Sequence, residues 1–317
     1  MASAPPVELD AQYRQLREEV GLLERDDRAL VAVTGPDAAE YLQGQLTNDV
    51  EALAPGEGQY AALLDRKGHM QADMRVLRPA AEKILVETEA ATLPVVLKHL
   101  TMYSIGRDVS VADVSQERAV LSLIGPRSAE VAGAPPLPEH ACEAVAVAGT
   151  EALAVGTPAG IDLICAAADS GRLAAALRDA GAAEVSPQAV ELLRIEAGVP
   201  RFGAEMGTET MPAEAGIVER AVSFTKGCYI GQETVARLHY KGRPNRHLRG
   251  LRLSAAADPG APLLLGEKEV GRLGGSAVSP ALGPIGLAIL RREAEPGAEL
   301  SVGEDGAKAV VVDLPFG

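Results

Sequence analysis

A chain of 317 residues, 47% hydrophobic and 23% charged, is long enough for two or three cored domains and too apolar for wholesale disorder. With no Trp, three Phe and six Tyr it lacks the rings of a stacking platform for single-stranded nucleic acid, so its core must be built from Leu, Val, Ile and Ala. The formal net charge of −14 repels nucleic acid and anionic membranes as default partners.

Leu9, Tyr13, Leu16 and Val20 recur at helical spacing and predict an amphipathic N-terminal helix within residues 1–23. An apolar strand follows at 29–34, and Gly35-Pro36-Asp37-Ala38-Ala39-Glu40 then opens a helix with Pro36 near its first position, where the missing N–H costs nothing. The same unit recurs as a strand at 119–124 followed by Gly125-Pro126-Arg127-Ser128-Ala129-Glu130. This predicts two related α/β subdomains; chance is the competing reading, because Gly-Pro before a helix is common. Between the copies, strands are expected at 60–64, 69–77 and 83–88, and a helix at 93–100. After the second copy come strands within 143–155 and at 161–166, a helix capped by Ser170 and ended by Gly181, and a short helix at 189–197. Beyond Asn245, short strand-like runs at 248–253, 262–265, 270–273, 285–290, 299–302 and 309–314 are separated by Gly, Pro and Asp. They predict a small β-barrel. The expected division is 1–23, 24–244 and 245–317.

Three scattered cysteines, Cys142, Cys165 and Cys228, make no disulfide framework and read as thiols of a reducing cytosol. The start carries no basic-then-apolar signal pattern, and no apolar run reaches membrane-spanning length. A cytoplasmic location without a membrane partner is therefore expected. His69, His99, His140, His239 and His247 show no metal-ligand spacing, and no metal site is expected. No Ser-His-Asp arrangement or glycine-rich phosphate loop stands out.

The most unusual stretch is Lys226-Gly227-Cys228-Tyr229-Ile230-Gly231-Gln232-Glu233, followed by Arg237. Gly227 and Gly231 allow tight backbone geometry, and Glu233 and Arg237 at i, i+4 predict that a helix begins here. Lys226 beside Cys228 favours the thiolate, the reactive and metal-binding form. The bland reading of the same residues is a buried structural cysteine in a glycine turn.

This segment matches the signature of the YgfZ-type folate-binding proteins. The run Leu193-Arg194-Ile195-Glu196-Ala197-Gly198-Val199-Pro200-Arg201-Phe202-Gly203 resembles a Leu-Arg-x-Glu-Ala-Gly segment shared with the glycine-cleavage T-protein, the aminomethyltransferase. Pro212-x-Glu214-Ala215-Gly216, the stretch from Tyr41 to Val50 and Leu64-Asp65-x-Lys67-Gly68 fit the same superfamily. The resemblance implies an α+β, three-lobed fold: two related α/β lobes around a central opening that holds tetrahydrofolate, and a C-terminal β-barrel. It implies folate contacts from Glu196, Lys226, Tyr229, Gln232 and Arg237. A carboxylate such as Glu196 can accept the paired N–H donors of a pterin; the bland reading is a surface helix glutamate. T-protein has an Asp-Asp pair where this chain has Ala72-Asp73. Asp73 either faces the folate cavity as a catalytic group or pairs with Arg75, and the missing partner weakens the case for aminomethyl transfer. Cys228, which T-protein lacks, points to an accessory protein that supports iron–sulfur enzymes through a functional thiol. A single cysteine cannot hold a cluster alone. An aminomethyltransferase-like enzyme is the alternative.

Residues 226–252 hold seven Lys or Arg against one acid. That island reads as an attractor for the glutamate tail of the folate, as a contact for tRNA, or as a solvated face between domains.

Overall fold

The repeated strand–Gly-Pro–helix unit seeds two matching lobes in the computed structural model, which describes residues 6–303 and 306–316. In the first, strand Arg28–Thr34 lies between Lys83–Glu89 and Ser110–Asp113, and Met70–Ala80 and Glu57–Leu64 complete a five-stranded antiparallel sheet. In the second, Arg118–Ile124 lies between Gly160–Ala166 and Gly21–Glu24, with Thr150–Thr157 and Cys142–Val147 beyond. Lys83–Glu89 and Gly160–Ala166 each run through one 3-10 turn into a helix, Leu93–Tyr103 and Ser170–Asp179 respectively. The same order of strands and helices twice over is the duplication expected from the sequence. The lobes differ at one edge. The place of Ser110–Asp113 is taken in the second lobe by Gly21–Glu24, drawn from ahead of the first lobe, with Ala183–Glu184 added parallel outside it.

Both Gly-Pro glycines have positive φ, +119° at Gly35 and +129° at Gly125. A Cβ on Gly35 would lie 2.5 Å from the Asp108 carbonyl oxygen, and one on Gly125 2.4 Å from that of Glu19. The backbone approach requires glycine at both places. The helices open at Ala38 and Ser128, so each proline precedes the cap instead of occupying the first turn. Ser170 is not the cap expected of it: its hydroxyl donates to the Ala167 carbonyl at 3.0 Å, and the helix already includes it. The serine that caps is Ser186, whose Oγ accepts the Ala189 N–H ahead of helix Pro187–Glu196.

Each sheet covers its outer face with its own helices; Val33, Met74 and Val86, for instance, pack with Tyr41, Leu42, Val96 and Leu100. The inner face of the first sheet is divided. At one end Leu30, Leu77 and Leu85 pack on Val120, Cys142, Val155 and Ile164 of the second lobe. At the other, Ala62, Leu64 and Met70 pack on Met206, Ile217, Val222, Tyr229 and Val235. Period-two alternation and register place Tyr60, Asp73, Arg75, Glu87, Glu89 and Arg28 together between these apolar seams.

The C-terminal strands form one seven-stranded antiparallel sheet from Arg246–Leu253 to Ala307–Val312 around Leu251, Leu263, Val270, Leu290, Leu300 and Val311. It curls into a half-barrel rather than a fully closed barrel. Gly271 permits the curl, since a Cβ there would lie 2.8 Å from the Ile289 carbonyl oxygen across the fold. Helix Pro187–Glu196 joins this sheet to the lobes, with Ile195 buried on Ile285 and Leu287.

Candidate functional site

The polar strip between the seams is held by ion pairs that cross the sheet. Arg28 Nε meets Glu87 at 2.9 Å and its Nη1 meets Glu89 at 2.7 Å. Arg75 donates to Glu87 and also reaches Asp162 of the second lobe at 2.6 Å, where Ser122 completes the set. Burial opposes ionisation of Glu87, but Arg75 and Arg28 outweigh it and hold the carboxyl at about 2. Buried charges survive when paired in this way.

Asp73 is the exception in the strip. Arg75 is engaged elsewhere, and Asp73 is instead met by the Tyr60 hydroxyl, which donates to Oδ2 at 2.6 Å. Among the described residues no other side chain hydrogen-bonds this carboxyl, and the backbone N–H of Asp73 itself also favours its charged form. Burial raises the Asp73 pKa, against the pull of the Tyr60 hydrogen bond and the guanidinium groups of Arg28 and Arg201. Glu89 is also raised, chiefly by burial. The charge of Arg201 acts on both; its side chain is 39% exposed and lies 3.7 Å from Glu191. The arrangement can hold a proton on a carboxyl near an accessible cation.

Glu196 ends helix Pro187–Glu196 and is 8% exposed, so it is no surface glutamate. Oε2 accepts from the Tyr13 hydroxyl at 3.3 Å and from Arg17 at 3.2 Å, both on the N-terminal helix Pro6–Glu18. Oε1 accepts from the Ser279 hydroxyl of the half-barrel. None of its hydrogen-bond partners belongs to the Tyr60–Asp73 strip.

Lys226 is buried, with Nζ donating to the carbonyls of Gln43, Leu46 and Asn48 at 2.6, 2.7 and 2.8 Å. It also lies 5.2 Å from the centroid of the buried Tyr229 ring. Cys228 between them is exposed, which excludes the buried-thiol reading. Helix Gln232–Lys241 opens directly after Gly231, in the segment where the charge spacing predicted a helix, and docks on the loop after Leu64. A Cβ on Gly231 would lie 2.5 Å from the Asp65 carbonyl oxygen, and one on Gly68 3.0 Å from Thr234 Cβ. The segments singled out around residues 41–50, 64–68 and 226–233 therefore meet.

The basic island is partly neutralised, Arg246 by Glu214 and Arg249 by Asp313. Arg237, Lys241 and Arg243 line a cleft of about 430 Å³ with Met211, Thr234 and Leu238. Among the described residues no helix is long and apolar enough to cross a membrane.

Tyr60, Arg28, Glu89 and Arg201 were not singled out by the sequence as site residues. Alternation along strand Met70–Ala80 puts Gln71, Asp73 and Arg75 on one face, but which residues lie across the sheet depends on register.

Comparison with known proteins gives the same architecture. The chain superimposes over its full length on 91% of the glycine cleavage system aminomethyltransferase T of Bartonella henselae, with a TM-score of 0.89 at 24% identity, a likeness that speaks for the fold. An aminomethyltransferase of Rubrobacter xylanophilus is 32% identical over 97% of this chain and 86% of its own length. One from Streptomyces avermitilis is 32% identical over 96% and 88%. The family model described as the GCVT N-terminal domain matches residues 7–226, and the chain belongs to that family, within the glycine-cleavage T-protein superfamily.

Proposed function

We propose that the chain binds tetrahydrofolate along the polar strip and transfers a one-carbon unit there, as an aminomethyltransferase-like enzyme. The observation that carries this reading is the Tyr60–Asp73 pair: a carboxyl with a raised pKa, held at Oδ2 by a phenol hydroxyl 2.6 Å away. Tetrahydrofolate supplies the nucleophilic ring nitrogens. When the methylene of an S-aminomethylated carrier passes to two ring nitrogens, the C–S and C–N bonds of the donor break and the protons those nitrogens lose leave on the carrier thiol and on ammonia; Asp73 is the proposed relay for one of these protons, with Tyr60 holding its carboxyl. The strip fits a folate chemically, since it offers the Asp73 carboxyl as an acceptor and an accessible guanidinium at Arg201. The relatives' common name as aminomethyltransferases supports the reading. Glu196 is the proposed acceptor of the pterin's paired N–H donors; its carboxylate already meets Tyr13, Arg17 and Ser279, so binding there displaces at least one of them. Of the glycine-flanked segment, Gln232 and Arg237 are the side chains proposed to meet the glutamate tail, with Lys226 and Tyr229 acting from beneath.

A second reading, a YgfZ-type accessory protein for iron–sulfur enzymes, is favoured by one observation, the exposed Cys228 thiol. The deciding experiment measures tetrahydrofolate binding by calorimetry and one-carbon transfer from an aminomethylated lipoyl carrier, in wild type and Asp73→Asn. Transfer lost in the variant with binding kept supports the first reading. Binding without transfer in the wild type, together with loss of iron–sulfur enzyme activity in Cys228→Ser cells, would establish the second in its place.

A further inference from the structure

The Tyr60 ring is gripped from a direction that the pair with Asp73 does not require. Arg220, in the turn of helix Val218–Ala221, sets its guanidinium carbon 5.4 Å from the Tyr60 ring centroid. The main chains of the two residues are tied by one side chain: Asn48 Nδ2 donates to the Tyr60 carbonyl at 2.8 Å and to the Arg220 carbonyl at 3.0 Å. The outer end of Arg220 bonds Glu139 of the second lobe, which also lies 3.3 Å from His140 Nε2.

The loop that delivers Glu139 is held in a strained form. His140 has φ +67°, a left-handed conformation that L-residues avoid at a cost of roughly 1–2 kcal/mol. Its N–H bonds the Gly156 carbonyl at 2.8 Å. Its own carbonyl oxygen sits where a Cβ on Gly58 would be 2.4 Å away, two residues before Tyr60. Strain of this kind persists only where surrounding contacts over-determine it. The ion pair itself is a weak reason for the arrangement. Arg220 and Glu139 side chains are 41% and 37% exposed, and pairs so exposed contribute roughly 0–1 kcal/mol to stability.

We propose that Arg220 is a positioning residue for the Tyr60–Asp73 pair. It faces the phenol ring so that the hydroxyl stays on Asp73 Oδ2 and holds the carboxyl in one orientation, and through Glu139 it ties that alignment to the second lobe. The consequence for turnover rests on the one-carbon-transfer reading; the alignment does not.

The test is NMR of protein labelled at tyrosine 13Cζ, with the Tyr60 resonance assigned from Tyr60→Phe, beside transfer kinetics. Arg220→Met should move the Tyr60 resonance in the same sense as Asp73→Asn. It should lower kcat about tenfold with KM for tetrahydrofolate within about twofold, the pattern of misaligned chemistry with binding intact. Arg220→Lys, which keeps a cation over the ring, should restore part of both. Glu139→Gln, which cuts the tether and leaves Arg220 in place, should give a smaller shift of the same sign and covers the case in which Arg220→Met folds poorly. A Tyr60 resonance unmoved in Arg220→Met and in Glu139→Gln overturns the proposal. A wild type without transfer activity overturns the functional reading alone, because the resonance still decides the role of Arg220.

Discussion

The Lys226 ammonium lies 2.7 Å from the carbonyl oxygen of Leu46 and bridges segments 180 residues apart. Gln43 and Asn48 supply the other two acceptors, so three N–H donors meet three carbonyls just past the C-terminal end of helix Ala38–Gln43. The Gln43 carbonyl, the last of the helix, has no partner within it. Burial draws the Lys226 pKa down to about 8, opposed by Asp49 and Glu51, and the three acceptors also favour the charged form. Replacing Lys226 by Met leaves buried carbonyls unpaired and should cost about 1–3 kcal/mol in urea unfolding. Folate affinity measured on the folded variant separates this role from ligand contact: a variant of full stability that fails to bind would make Lys226 a ligand residue instead.

Gly231 carries the adjoining constraint. Its φ of +86° and the 2.5 Å approach to Asp65 leave no place for a side chain, because the obstructing atom is backbone. Gly231→Ala should lower stability by at least about 1–2 kcal/mol, the left-handed penalty alone, and displace the loop bearing Cys228. Thermal unfolding together with the rate of Cys228 alkylation measures both; an unchanged midpoint would mean that helix Gln232–Lys241 shifts without resistance.

Acid should weaken the fold in two stages. Burial lowers the His140 pKa from 6.5 to about 4, with Arg75 and Arg220 acting in the same direction and Glu139 and Glu87 opposing. The unfolded chain takes up this proton near pH 6.5 while the folded chain resists it, so this share of stability is complete above 6.5 and falls as the pH drops toward 4. Glu87 is depressed from 4.5 to about 2, so its share is complete above 4.5 and is lost on further descent toward 2. Denaturant titrations across this range should show both stages. His140→Asn, which tolerates positive φ, should flatten the upper one; an unaltered slope between pH 6.5 and 4 would assign it to other groups.

The architecture was legible where it depends on local signals. The Gly-Pro units announced the duplication because each requires a positive-φ glycine at one fixed place, and the turn-rich C-terminus announced a small β-barrel, which the strands form as a curled half-barrel. What depends on pairing over distance was hidden. Nothing in Gly21–Glu24 says that it pairs with Arg118–Ile124 and not with the nearer Arg28–Thr34, and Tyr60 meets Asp73 only through the register of a bulged strand pair. Ser170 misled because a serine just ahead of a helical run can bond backward to a carbonyl as readily as forward to an N–H. In the 226–233 segment the sequence located the cluster, but which side chains turn inward follows from packing: Lys226 and Tyr229 are buried and Cys228 is exposed.

Glu196 shows how the surroundings of a residue change the experiment that tests it. As a ligand carboxylate alone, Glu196→Ala would remove binding and leave the fold untouched. Its hydrogen bonds to Tyr13, Arg17 and Ser279 join the N-terminal helix, helix Pro187–Glu196 and the half-barrel, so truncation leaves buried hydroxyls of Tyr13 and Ser279 without their acceptor. Glu196→Ala should therefore lose about 1–3 kcal/mol of stability whether or not folate is present, and lost binding in that variant alone decides nothing. Glu196→Gln keeps the volume and one acceptor oxygen while removing the charge. Calorimetry with tetrahydrofolate on Glu196→Gln isolates the ligand role: affinity reduced at least tenfold in a variant of near-native stability assigns the carboxylate to the pterin, and retained affinity assigns Glu196 to the joint between the three segments.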